Sequence, residues 1–311
     1  MKSSRIVPLL LLAIGGSVVH AQIPASSISD PAGDAKKGGP DIVSVSATAG
    51  NGIVTFRARF VPRHFDHRTT RLVWVLDTDQ NPATGSPGLL GAPGAPATHP
   101  SDSLDVRRIG AEAVGVVVGA CNAGSLIQLD QQSGRWALAD QLPAVVLSDG
   151  FDAYISLDSI RKTEANINFK AIAYRFSGDC PPQSISPEVN DVVPDVGKPG
   201  ATVQQADRSA ISAPQPLSPP DAAHLDAFPR KTVLQWSGVS GAVGYLVQVQ
   251  YHDRTSATGW RPFAFRHVAN PTLECNFVGS QPGRWRVWAI DQNGSAGPST
   301  PWISFDYSPP R

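Results

Sequence analysis

Asp77-Thr78-Asp79-Gln80-Asn81 sets three oxygen-bearing side chains, those of Asp77, Asp79 and Asn81, at alternate positions directly after the apolar run Leu72-Val73-Trp74-Val75-Leu76. Oxygen donors grouped at a strand end suit a hard divalent cation, since Ca²⁺ takes about six to eight oxygen ligands from carboxylates, amides and carbonyls. Asp41, which opens one predicted strand, and Glu112, which opens another, are expected to join them at one end of the fold. Carboxylates held that close repel one another unless a cation lies between them. The expected metal set is Asp77, Asp79, Asn81, Asp41 and Glu112, with Ca²⁺ as a structural ion. The competing role for the same Asp and Asn side chains is to cap turns by hydrogen bonding to nearby backbone. An EF-hand does not fit, because Pro82 stands where that loop needs Gly and Gly88 where it needs a bidentate Glu.

Catalytic readings of the same stretch fail on spacing. Val75-Leu76-Asp77-Thr78 starts like an aspartic protease motif, but Asp79 replaces the Gly and no second Asp-Thr-Gly exists to supply the partner carboxylate. Gly238-Val239-Ser240-Gly241-Ala242 lies between two predicted strands, not at the strand-to-helix turn that makes a nucleophile elbow. His64 and His67 flank Asp66 in a polar loop with no third zinc ligand beside them. No catalytic residues are assigned, and the chain is expected not to be an enzyme.

The elements around these residues read as all-β. Predicted strands fall at 41–48, 53–61, 71–76, 113–118, 125–129, 135–138, 151–157 and 167–176, separated by Gly, Pro, Asn and Asp. Asn51-Gly52 is a hairpin turn, since both residues tolerate positive φ. Thr55, Arg57 and Arg59 alternate with apolar neighbours, which predicts a strand with one wet face. A single short helix is expected within 157–166. Residues 82–105 form a long Gly/Pro-rich insertion, and 177–220 read as a domain end plus a Pro-rich linker.

Lys2 and Arg5 precede the apolar run 6–18 and the small-residue end at Ala21, the order of a secretory signal peptide. Cleavage after Ala21 is expected, with no Cys following for a lipid anchor and no membrane span in the remainder. Removal of Lys2 and Arg5 leaves 24 basic against 26 acidic residues, which argues against a nucleic-acid partner. Three cysteines in an exported chain admit one disulfide. Cys121 and Cys180, each at the end of a strand-like segment in one domain, are the expected pair, and Cys275 is left as a small buried side chain. The expected location is secreted, periplasmic or cell-surface.

Two resemblances refine this. Val233-Leu234-Gln235-Trp236, Gly241-Ala242 with Tyr245 after it, and Trp285-Arg286-Val287-Trp288-Ala289 running to Asp291 and Gly294 resemble a fibronectin type III domain over 214–309. Asp30-Pro31-Ala32-Gly33-Asp34, Pro40-Asp41-Ile42, the 75–85 segment, Gly110-Ala111-Glu112 and Asp191-Val192-Val193-Pro194-Asp195 are similar to exported bacterial sandwich modules of the family-nine carbohydrate-binding and dopamine-monooxygenase-type ligand-binding classes. The expected architecture is therefore all-β: a signal peptide at 1–21, a first β-sandwich at 22–200, a Pro-rich linker at 201–213 and a fibronectin-like β-sandwich at 214–311. The resemblances imply a non-catalytic binding module for an extracellular glycan or surface protein. A sugar would stack on exposed aromatic rings, for which Trp136, Trp260 and Trp302 are the candidates near turns. The alternatives are a purely structural or adhesive exported protein and, less favoured, a hydrolase with an unrecognised site.

Overall fold

The apolar alternation of the first two hundred residues becomes two sheets laid face to face. A computed structural model describes residues 27–36, 38–85, 110–119, 123–130, 134–176, 185–195, 198–205, 211–256 and 258–307. The expected signal peptide and the expected pair Cys121 and Cys180 lie outside the described residues. In chain order the strands of the first unit are β1 (Ile28–Ser29), β2 (Ile42–Gly50), β3 (Ile53–Phe60), β4 (Thr70–Asp77), β5 (Ala113–Val118), β6 (Ala123–Asp130), β7 (Arg135–Gln141), β8 (Ala144–Val146), β9 (Gly150–Ser156), β10 (Asn168–Phe176), β11 (Ile185–Val193), β12 (Ala201–Thr202) and β13 (Gln204–Gln205). One sheet runs β1-β2-β3-β9-β8 with β13 beside β2; the other runs β11-β10-β4-β5-β6-β7 with β12 beside β10. Phe56, Phe60, Phe151 and Ile155 of the first face Trp74, Leu76, Phe169 and Ala171 of the second, all of them buried. In place of the expected short helix the chain makes one 3-10 turn, Leu157–Ile160.

This sandwich extends past the expected boundary at 200. Asn168 pairs with Thr202 and Thr48 with Gln204, so 201–205, read from composition as linker, return to both sheets.

The second unit comprises β14 (Pro216–Ser218), β15 (Ala223–Leu225), β16 (Lys231–Trp236), β17 (Ala242–His252), β18 (Trp260–Val268), β19 (Thr272–Asn276), β20 (Gly283–Asp291), β21 (Ala296–Ser299) and β22 (Ile303–Tyr307). A three-stranded sheet β14-β16-β19 covers a larger one ordered β15-β22-β20-β17-β18, with β21 beside β20. Trp236, Trp285, Val247, Val249 and Phe305 fill the space between them.

The strand face expected to be wet is covered by the second unit. Thr55 and Arg57 are only 2% and 8% exposed. Thr55 Oγ1 donates to the Gly294 carbonyl (3.2 Å) and Arg57 Nη2 to that of Asn293 (2.7 Å). Asn51 Nδ2 donates to Ala296 O (2.8 Å), while Trp288 Nε1 donates to Asn51 O (3.0 Å). Ile53 and Tyr154 of the first sandwich share one apolar cluster with Leu246, Phe265, Trp288 and Ile290 of the second. The Tyr154 ring stacks on His267 at 5.9 Å. Alternation marks a polar face but says nothing of what lies on it, and here hydrogen-bonded carbonyls of the 291–296 turn replace water.

Asp140 lies at the same junction. Its Oδ2 accepts from Ser159 Oγ (2.5 Å) and from Nε2 of the fully buried Gln248 (3.0 Å), and Oδ1 accepts from Gln141 N (2.8 Å). Burial pushes its carboxyl above the usual range, against the opposing pull of these hydrogen bonds and of Arg286. A carboxyl raised in the folded state binds its proton more tightly there, so its contribution is present at acid pH and is lost as pH rises from about 4 through the folded value. Asp140→Ala is expected to cost about 1–3 kcal/mol at acid pH by orphaning Gln248 and Ser159, and less at neutral pH. Urea titrations of both forms at several pH values check this; a difference that does not depend on pH contradicts the titration.

Candidate metal centre

β4 delivers Asp77 to the edge of the sandwich, and the turn that follows folds back on it. Asn81 N donates to Asp77 Oδ1 (3.2 Å) and to Asp79 Oδ1 (3.0 Å), and Gln80 takes the left-handed backbone that the reversal needs (φ 58°). Gly85 and Gly110, at φ 76° and 70°, lie against each other, and a Cβ on Gly85 would meet the Gly110 carbonyl at 2.5 Å. That close approach brings Glu112 back to the turn, where its Oε2 accepts from Thr78 N at 2.7 Å. Asp77, Asp79 and Glu112 each offer a carboxylate oxygen within 4.8 Å of the others. Burial raises the carboxyl groups of both Asp77 and Glu112.

Thr84 shows how crowded with acceptors this turn is. Its Oγ1 lies 2.8 Å from Asn81 O, 3.0 Å from each Asp79 oxygen and 3.1 Å from Glu112 Oε1. One hydroxyl proton serves one of these four acceptors well. An excess of close, converging oxygens is what a hard cation neutralises, so the residues fit Ca²⁺. The Asn81 side chain is otherwise engaged: its Oδ1 accepts from Ala83 N (3.1 Å), the turn-capping role weighed above.

Asp41 is not part of this group. Its carbonyl accepts from Val61 N and its Oδ2 lies 3.3 Å from His64 Nδ1, which places it on the connection leading into β4. Asp77 closes β4 at the opposite end, about 20 Å along the strand. The expected five-residue site therefore divides, because both residues flank strands but at opposite ends of the sandwich. Asp41 instead joins Asp34 and Asp191, while Asp34 also groups with Asp30 and Asp195. Asp191 and Asp195 were visible in the sequence only as punctuation late in the domain. His64 faces Asp41 and not His67, so the local His pair forms no centre.

No family model matches the chain, and no curated protein matches it. Solved structures do: an Fn3-like protein from Clostridium thermocellum is 18% identical, with 33% of this chain and 99% of that one covered at a TM-score of 0.25. The fn3 domain of human collagen alpha-1(XX) chain is 15% identical over 34% of this chain and 95% of its own, also at 0.25. The chicken CNTN1 FN1-FN3 domains cover 87% of this chain and 69% of their own at 10% identity and a TM-score of 0.25. The strand pairing itself shows the second unit as a β-sandwich, a three-stranded sheet packed on a larger one. None of these likenesses bears on the family-nine resemblance of the first.

In the second unit, Trp260, Trp288 and Trp302 are stacked on arginine. Arg284 lies 4.2 Å from the ring centres of both Trp260 and Trp302, and Arg286 lies 4.2 Å from Trp302 and 4.5 Å from Trp288. This ladder of cations and rings is itself partly desolvated, and burial lowers the Arg284 guanidinium to about 10. In the first sandwich Trp136 is only 6% exposed. All seven Trp and five Tyr are among the described residues, and none of them is exposed. Cys275 is partly buried, and burial pushes its thiol up to about 11, which leaves little thiolate at neutral pH.

Proposed function

We propose that this chain is an exported, non-catalytic structural or adhesive protein whose first sandwich is held by Ca²⁺ at Asp77, Asp79 and Glu112. The observation that carries the reading is that none of the Trp and Tyr side chains is exposed as a ring platform, combined with the docking of the two sandwiches into one unit. A glycan-binding module of the family-nine type needs a ring platform, and the expected candidates Trp136, Trp260 and Trp302 are buried or stacked on arginine. Ca²⁺ then acts on shape alone, tying the 77–85 turn to the start of β5.

Sedimentation with insoluble polysaccharides tests the first part: the protein is expected to stay in the supernatant, and retention on any of them favours the glycan reading. Calorimetric melting tests the second. A ligand that binds only the folded state raises stability by RT ln(1 + [L]/Kd), about 2.7 kcal/mol at a hundredfold excess over Kd. Excess Ca²⁺ is expected to raise Tm relative to chelator, and Asp79→Asn with Glu112→Gln to remove most of that gain. Identical melting of the wild type in Ca²⁺ and chelator would falsify the cation assignment.

A further inference from the structure

We propose a second Ca²⁺ site, separate from the Asp77 turn, built around Asp34 by Asp30, Asp41, Asp191 and Asp195. It clamps the segment that precedes β2 to the last long strand of the first sandwich. These carboxylates come from two distant parts of the chain. Asp34 shares ligand spacing within 4.8 Å with Asp41 and Asp191 on one side and with Asp30 and Asp195 on the other. Asp191 fastens the junction already, its Oδ2 accepting from Ile42 N (2.6 Å) and its Oδ1 from Val192 N (2.8 Å).

Acidic grouping alone does not make a site; two orphaned oxygens do more. Asp41 is fully buried, and while its Oδ2 accepts from Gly33 N (2.8 Å) and faces His64, its Oδ1 has no hydrogen-bond partner. Asp30 Oδ2 is likewise enclosed and unpartnered. A buried carboxylate oxygen without a donor costs the full desolvation of that group, and two such oxygens lie in this one cluster. His64 reaches Asp41 from one side, and Lys170 Nζ donates to the backbone carbonyls of Pro194 (3.3 Å) and Asp195 (3.1 Å). The donors are carboxylate oxygens throughout, with several exposed enough to adjust, which suits the larger and less directional Ca²⁺ over Mg²⁺.

The consequence is mechanical. The segment 28–41 is held at its start by the pairing of β1 with β2 and by Asp30 N to Val43 O (2.9 Å), in the middle by Lys36 N to Asn190 O (3.0 Å), and at its end by Val61 N to Asp41 O (2.8 Å). A cation there converts repulsion into a clamp, closing the sandwich edge where β2 meets β11. The inference stands apart from the Asp77 assignment, and the test separates them.

Calcium-binding stoichiometry by equilibrium dialysis is measured alongside amide exchange over 28–41, with Ca²⁺ alone as the probe. The wild type is expected to bind two ions, and the amides of Asp30, Gly33 and Lys36 to exchange up to about a hundredfold more slowly at Ca²⁺ a hundred times Kd. The variant Asp34→Asn/Asp195→Asn, which alters exposed side chains and leaves Asp41 and Asp191 in place, is expected to lose one equivalent and that protection. The variant Asp79→Asn/Glu112→Gln is expected to lose the other equivalent, that of the Asp77 turn, and to keep the protection of 28–41. One equivalent that survives in the second variant and vanishes in the first supports this site and removes the Asp77 one. One equivalent that behaves the opposite way, unchanged stoichiometry in Asp34→Asn/Asp195→Asn, or no binding at all, overturns the proposal.

Discussion

Trp288→Ala is expected to lower the stability of the whole protein by about 3–5 kcal/mol and to split its unfolding into two transitions. The side chain is 1% exposed and sits in the cluster that both sandwiches share, against Ile53 and Tyr154 on one side and Phe265, Leu246 and Ile290 on the other. Its removal leaves a cavity bounded by two domains, each held to its own sheet and unable to collapse fully into the space. The loss also frees Asn51 O, which accepts from the indole at 3.0 Å, and one stacking partner of Arg286. Apolar contacts across a domain junction are what couple two units into one cooperative transition. Chemical denaturation followed by tryptophan fluorescence and far-UV circular dichroism reads the result. Coincident transitions in the wild type and separated ones in the variant are expected, with Trp288→Phe intermediate because it keeps most of the volume. Two separated transitions already present in the wild type would show that the junction transmits no stability.

That junction was the least legible part of the molecule. The strands themselves were readable: the runs at 53–61, 113–118 and 167–176 match β3, β5 and β10 to within a residue or so, because sheet-forming side chains are bounded there by Gly, Asn and Asp. Glu112 comes back to the Asp77 turn because the strand it precedes pairs with β4. What alternation does not encode is the partner of a polar face. Arg57 in an alternating strand looks the same whether it meets water or the Asn293 carbonyl. A signal did exist in Gln248, a lone amide inside the apolar run Tyr245 to Val249, which marks a buried polar contact with Asp140. Asp41 failed for another reason. Which end of a sandwich a residue reaches depends on the count of strand reversals before it, so two residues that each flank a strand share an end only when the pairing puts them there.

Trp74→Ala tests the other side of the coupling, and a loss of about 3–5 kcal/mol is expected here too. Trp74 is fully buried between the two sheets of the first sandwich, with its ring centre 5.1 Å from that of Phe56 and 5.9 Å from that of Phe169. Its indole nitrogen is buried without a hydrogen-bond partner, so part of what the large ring contributes is offset by an unsatisfied donor. Trp74→Phe, which removes that donor with only part of the volume, is therefore expected to cost much less than Trp74→Ala. The site lies away from the residues that bridge the sandwiches, so the junction survives the substitution. In the wild-type background the single transition is then expected to move to lower denaturant as a whole, the second sandwich included. In the Trp288→Ala background the same change is expected to move only the transition of the first sandwich. Additivity of the two losses in that double variant, with both transitions shifting together, would contradict the shared cluster as the source of cooperativity.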